Sequence, residues 1–260
     1  MMFGIYIGND TMLVKTTYGG LLSISAKDRS LMPTLVTTGA IEHPLTQYFR
    51  KQIRPGQTIV DIGANIGYFT ILAAQLVGEQ GKVIGLEANP SVYTYVKDNV
   101  QMNWVTPQTE LHNLAAYSDK TSINFFVSST YQGDSSINSN LDVELEEIEV
   151  NTITIDELLQ SVKKVDLLKI DIEGGEYHAF LGMKQSIVDK KIRAIAFEWN
   201  PKMLGEEYTS KFAELLHEYE STYKGQFYLL SHDGIPILTE AKHITDQPSY
   251  PFGLIYFPHH

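Results

Sequence analysis

The chain has 260 residues, 43% hydrophobic and 20% charged, with a formal net charge of -11 and an isoelectric point near 5.1. That length supports one large domain, or one domain with a small appendage, and the acidic balance argues against a broad nucleic-acid surface, which needs clustered Lys and Arg. The absence of cysteine excludes disulfides, thiolate metal sites and a cysteine nucleophile.

The opening MMFGIYIGND lacks the basic and apolar segments of a signal peptide. No run approaches the roughly 18 to 20 apolar residues of a membrane span, so a cytoplasmic protein without a membrane span is expected. Residues 1–50 read as a β-hairpin extension, with short β-rich pieces punctuated by Asn9-Asp10 and Gly19-Gly20. Residues 51–258 read as the main domain, because from Ile59 the pattern alternates strand and helix. TIVDIG, KVIGLEAN, TELHNLA, VDLLKIDIE and IRAIAFEWN are strands; GYFTILAAQLV, SVYTYVKDNVQMN and EYHAFLGM are helices. This alternation predicts an α/β, Rossmann-like fold with a mostly parallel sheet and helices on both faces. Ser128 to Asn151 is Ser/Asn-rich and then acidic, and is expected to be a surface loop or a substrate-contacting flap. FYLLSHDGIPILTE and FGLIYFP break the rhythm without a good helix between them, which suggests an antiparallel strand at the sheet edge. The final His259-His260 reads as a tag remnant rather than a metal site.

In an open parallel sheet, ligands bind outside the carboxyl ends of the strands. The turn from Asp61 to Gly67, in VDIGANIGYFT, is therefore the expected cofactor cradle. Gly63 and Gly67 allow positive φ or close backbone approach, and Asn65 tolerates a left-handed conformation. Asp61 would repel a pyrophosphate and attract a cationic ligand. Glu87, 20 residues beyond Gly67, stands where an acid can bind both ribose hydroxyls. A ribose-bearing, cationic, phosphate-free ligand describes S-adenosylmethionine.

The stretch IRPGQTIVDIGANIGYFTILAAQLVGEQGKVIGLEANP, the later LHNLAAYSDK, and VDLLKIDIEGGEYHAFLGM followed by IAFEWNP resemble the FkbM family of S-adenosylmethionine-dependent methyltransferases, from about Gly39 to Pro201. The resemblance implies a class I methyltransferase fold, a seven-stranded sheet with an antiparallel last strand, and O-methylation of sugars, polyketides or glycolipids. LEANP stands where FEPNP is usual, but Asn89 and Pro90 match. By this resemblance Asp61, Gly63, Asn65 and Gly67 cradle the methionine part and Glu87 holds the ribose. Asn89 lies near the adenine, and Asn113 and Ala115 line its pocket. Tyr68, Ala88 and Asp171 belong to the same cofactor-binding set. His112 is expected to pack rather than act.

Strand alternation points Lys169, Asp171 and Glu173 to one side of the acidic stretch LLKIDIEGGE. Either Lys169 neutralises Asp171 while Glu173 or Glu176 caps the next helix, or the acids face a polar cleft. Methyl transfer needs an aligned acceptor oxygen and relief of its proton. Asp171 is the first candidate base, with Glu198, Lys169 and Glu173 beside it in the catalytic set. Oxygen ligands from Asp171, Glu198 and Asn200 could instead hold Mg²⁺, second to a role for the acids in binding acceptor hydroxyls. His178 is a weaker base candidate, and Trp199, Tyr68, Tyr131 and Phe180 could wall a sugar or the adenine.

The leading reading is an O-methyltransferase acting on a small molecule, glycan or glycolipid, with no nucleic-acid partner. A ribose 2'-O-methyltransferase acting on RNA, using Lys169, Asp171, Lys202 and Glu198, is the second. A non-catalytic cofactor-binding protein is the third.

Overall fold

The computed structural model describes residues 3–128, 146–248 and 252–258. Three antiparallel strands open it: β1 (Gly4–Gly8), β2 (Thr11–Lys15) and β3 (Leu21–Ser25). Asn9 and Asp10 both take left-handed φ values, 50° and 52°, which suit a tight hairpin. Two helices follow, α1 (Met32–Thr38) and α2 (His43–Gln52), in a segment where the sequence suggested hairpins alone. Both start with proline in the first turn, where its fixed φ favours helix entry.

The alternating region runs β4 (Thr58–Ile62), α3 (Tyr68–Val77), β5 (Lys82–Leu86), α4 (Pro90–Met102) and β6 (Thr109–His112). A side layer follows, of β7 (Ala115–Ala116), β8 (Ser122–Val127) and β9 (Glu146–Ile153). β9 pairs antiparallel with β8, so the end of the stretch read as loop is a strand. Residues 129–145, including Tyr131, lie outside the described residues, as do His259 and His260. Next come α5 (Ile155–Leu158), β10 (Leu167–Ile170), α6 (Glu176–Leu181), α7 (Lys184–Val188) and β11 (Ala194–Glu198). The chain closes with the long α8 (Pro201–Ser221), β12 (Gln226–Leu230), β13 (Pro236–Thr239), the short α9 (Ala241–Thr245) and β14 (Phe252–Tyr256).

The main sheet has the order β13-β12-β14-β11-β10-β4-β5-β6. Its five strands from β11 to the β6 edge are parallel, and β14 is antiparallel to both neighbours. The last strand is thus antiparallel as expected, but it lies inside the sheet. Its middle residues Gly253, Leu254 and Ile255 are buried, which an interior position satisfies. The edge on that side belongs to β13, an eighth strand turned back on β12 through Gly234.

Alternate residues of the parallel strands feed two cores. Ile59, Val83 and Leu167 pack with α3 and α4, while Val60, Ile84 and Leu168 pack with α6 and α8. Val14, Leu22, Ile24, Leu35 and Leu45 join the first of these cores. Asn99 of α4 sews the opening strands to the domain: its amide donates to Ser23 O and Ile66 O, and its Oδ1 accepts from Ser23 N. Strand order reverses between β4 and β10, which places a crevice at their carboxyl ends.

Candidate active site

The β4 to α3 turn is shaped by three left-handed residues, Gly63 (φ 81°), Asn65 (φ 51°) and Gly67 (φ 92°). At Gly63 only glycine fits, because an added Cβ would stand 1.9 Å from the Asp171 carbonyl oxygen. The close approach joins the ends of β4 and β10 across the crevice. Glu87, just past β5, accepts Asn65 N–H on one carboxylate oxygen and Asn89 N–H on the other, each at 2.8 Å. Each oxygen keeps a second acceptor position, enough for two neighbouring hydroxyls. Burial, against those two hydrogen bonds, pushes its pKa up to about 7.

Two cavities meet here. The first is a cleft open to solvent. Glu87 and Ala88 lie on one wall, Leu114, Ala115 and Phe125 form an apolar slot, and Gly63, Asn65, Asp171 and Glu173 close it. The second shares those four residues and adds Glu42, Tyr68, Phe69, Lys169 and Glu198. The donor set of the first suits a ribose-bearing ligand: a paired acceptor at Glu87, an apolar slot for a flat ring, and acids at the end where cationic groups would lie.

Between the cavities stands a charge cluster. Lys169 Nζ is 3.2 Å from Asp171 Oδ2, 3.4 Å from Asp61 Oδ1 and 5.3 Å from the centre of the Phe69 ring. Burial alone would lower the Lys169 pKa, but Asp171, Asp61 and Glu42 together raise it, so the ammonium stays protonated. Burial chiefly raises Asp61, partly offset by Lys169 and by the 2.6 Å hydrogen bond from Thr70. Burial and then Asp171 push Glu42 up to about 8, and burial with Asp171, Glu173 and Glu176 pushes Glu198 up to about 10. Both hold a proton at neutral pH.

Residues 61–223, more than half of the chain, match the Methyltransferase FkbM domain. The chain belongs to the FkbM methyltransferase family. FkbM proteins are S-adenosylmethionine-dependent, and the fold is that of the class I enzymes. The chain is 30% identical over 71 residues to protein-L-isoaspartate O-methyltransferase 1 of Arabidopsis thaliana, an alignment covering 27% of this chain and 31% of that one. It therefore spans less than a third of that relative's length. Among solved structures, the methyltransferase FkbM from Methylobacillus flagellatus KT is 14% identical with a TM-score of 0.49, over 82% of this chain and 50% of that one. An O-methyltransferase from Bacillus cereus, in complex with SAH, is also 14% identical with a TM-score of 0.49, over 85% and 83%.

In this FkbM methyltransferase, Gly63, Asn65, Glu87, Ala88, Ala115, Asp171 and Glu173 gather on the first cavity, and Tyr68, Lys169 and Glu198 on the second. Several sequence-predicted site residues stand elsewhere. Asp61 is fully buried behind the wall, engaged by Lys169 and Thr70 rather than facing either cavity. Gly67 begins α3 against Val96. Asn89 caps α4 through Ser91 N and Val92 N, and Asn113 donates to Glu87 O and Ala88 O, bracing the loop that carries Glu87.

Asn200 is a correction to the proposed metal set. It caps α8, its Oδ1 accepting from Met203 N, and Glu173 takes its place in a trio with Asp171 and Glu198 whose carboxylate oxygens lie within 4.8 Å of one another. Trp199 is also corrected: it is buried, stacked on Phe212, and donates to Gln247 O. Glu176, the first residue of α6, accepts Ile172 N–H and Gly174 N–H and so braces the turn before the helix, whose N-cap is Gly175 without a side-chain cap. His178 stacks on Tyr117, and His112 pairs with Glu110 outside the cavities. Lys202 is exposed and lines neither cavity, which breaks the Lys-Asp-Lys-Glu arrangement of the RNA reading. Glu42 escaped the sequence reading altogether. No helix among the described residues is long and apolar enough to cross a membrane.

Proposed function

We propose that this FkbM methyltransferase moves a methyl group from S-adenosylmethionine to a hydroxyl oxygen of a sugar, glycan or small secondary metabolite. The observation that carries the reading is Asp171, on the wall common to the two cavities. In this reading the first cavity takes the cofactor, with Glu87 on the ribose hydroxyls and the Ala115 and Phe125 slot on the adenine. The second takes the acceptor. Bound S-adenosylmethionine supplies an electrophilic methyl carbon.

The chain's own residues do the rest. The wall at Gly63 and Asp171 fixes where acceptor and donor meet, and alignment at roughly 3–3.5 Å is worth much of the barrier. Asp171 takes the hydroxyl proton, as a positioned base in reach of both cavities. Lys169 holds the Asp171 carboxylate in place from behind and remains charged throughout. Tyr68 and Phe69 keep water from the seam.

Incubation with methyl-labelled S-adenosylmethionine and fractionated glycans, lipids and metabolites should label one fraction with an alkali-stable methyl ether. Asp171→Asn should slow that labelling by about 10²–10⁴-fold, far more than it changes S-adenosylhomocysteine affinity in calorimetry. Full turnover by the variant removes Asp171 from the chemistry, and label on nitrogen removes the hydroxyl reading.

A further inference from the structure

Two carboxyl oxygens in the second cavity, Glu42 Oε2 and Glu198 Oε2, are buried and have no hydrogen-bond partner among the described residues. Leaving a buried polar atom unmatched costs on the order of 1–3 kcal/mol, and native interiors rarely do it. Here three such atoms, these two and Asn65 Oδ1, belong to residues lining one cavity. Glu42 is aimed there by a backbone that L-residues avoid, φ 42° and ψ 59°, at the entry to α2. It offers its side chain to no helix N–H, so helix capping does not account for it.

The groups facing the pair are Asp61, Lys169, Asp171, Glu173 and Glu176. Lys169 is the sole cation among them, and it is shared between Asp61, Asp171 and the Gly63 carbonyl. The cavity therefore presents carboxyl groups in excess of ammonium, and a cationic donor can match the free atoms once one of the two carboxyl groups gives up its proton. Glu42 and Glu198 line the second cavity and not the first. The remaining wall, Leu31, Ile41, Tyr68, Phe69 and Phe252, is apolar and suits an organic body rather than a bare ion. A divalent ion on Asp171 would also face the Lys169 ammonium, 3.2 Å from that carboxylate.

We propose that the acceptor is a hydroxylated amine, such as an amino sugar or amino alcohol, whose ammonium group is held between Glu42 and Glu198 while its hydroxyl reaches Asp171. This rests on the O-methyltransferase reading above. The amine enters protonated, and one of the two protonated carboxyl groups gives its proton to solvent as the ion pair forms. The charge balances without a co-reactant.

The test is calorimetry on the full chain saturated with S-adenosylhomocysteine, in two buffers of different ionisation enthalpy. The probes are D-glucosamine and ethanolamine, each beside its neutral N-acetyl counterpart. At least one amine should bind about 10-fold to 100-fold more tightly than its N-acetyl form and release protons to the buffer. Glu42→Gln and Glu198→Gln keep size and neutrality, so they should fold, keep S-adenosylhomocysteine affinity, and lose the preference for the amine. Equal binding of charged and neutral probes, or binding of neither, overturns the proposal. So does MnCl₂ binding that neither amine displaces, which would assign the carboxylates to a metal. Failure of S-adenosylhomocysteine itself to bind strikes instead at the methyltransferase reading.

Discussion

The Lys169 ammonium lies 3.2 Å from the Asp171 carboxylate two residues further along the chain, and it is buried with only 2% of its side chain exposed. The same ammonium reaches Asp61 on the neighbouring strand, so one cation ties the ends of β10 and β4 together beneath both cavities. Removing one partner of a buried charge set strands the others.

Lys169→Met should accordingly cost about 3–5 kcal/mol at neutral pH in urea denaturation. The loss should shrink on acidification, because Asp61, already raised by burial, then takes a proton in place of the missing cation. A loss below about 1 kcal/mol would mean that the cluster does not depend on its lysine.

The carboxyl groups set the pH dependence of the unliganded protein. Glu176 and Glu87 sit at about 7, Glu42 at about 8 and Glu198 at about 10, each raised chiefly by burial above an unfolded value of 4.5. A raised acid stabilises fully below the unfolded pKa, and the contribution is lost as pH rises through the folded value. Stability should therefore fall across roughly pH 5 to 10, and Glu198→Gln should flatten the upper part of that decline. Denaturation midpoints that climb toward pH 9 in the wild type would contradict it.

The parallel sheet, the glycine turn and Glu87 were legible because each rests on local periodicity or a short motif. Asp171 and Glu173 were also legible as acids at a strand end, although the place of Glu176, on the N–H groups of the turn before α6, was not. Asn200 and Trp199 misled for a reason inside the period-two rule. Strand β11 ends at Glu198, so Trp199 turns to the opposite, core side and Asn200, already leaving the strand with φ -129° and ψ 84°, becomes a cap. Glu42 was illegible because its place depends on one left-handed residue and on the docking of α2 against α3, neither of which leaves a repeating pattern. The exposure of Lys202 and the burial of Asp61 were likewise set by tertiary packing.

The joint between β4 and β10 should tolerate no side chain at residue 63. Gly63→Ala combines left-handed strain, about 1–2 kcal/mol, with a backbone clash worth roughly 1–3 kcal/mol more. Gly56→Ala is the matched control: its φ is +83° but nothing lies within 4 Å of the added carbon. The difference between the two in chemical denaturation reads the clash alone. If the two variants lose the same stability, the close approach at Asp171 is relieved at no cost, and the wall between the cavities is softer than its geometry implies.

Cofactor affinity should carry its own pH signature through Glu87. Both of its oxygens already accept a backbone N–H, and two ribose hydroxyls can be added as donors only if the carboxyl group holds no proton. Burial raises the group to about 7 before the ligand binds, so binding must expel that proton at lower pH. S-adenosylhomocysteine affinity should thus be level above pH 8 and fall about tenfold per pH unit below roughly 6.5, since one bound proton must be released. Glu87→Gln should weaken binding by about 10-fold to 100-fold at pH 8, the range for hydrogen bonds to a charged acceptor, and should abolish the slope. Calorimetry between pH 5.5 and 8.5 on both proteins checks the two effects together. A variant that binds weakly but keeps the wild-type slope would place the titrating group elsewhere in the carboxyl cluster, and unchanged affinity would remove Glu87 from the ribose.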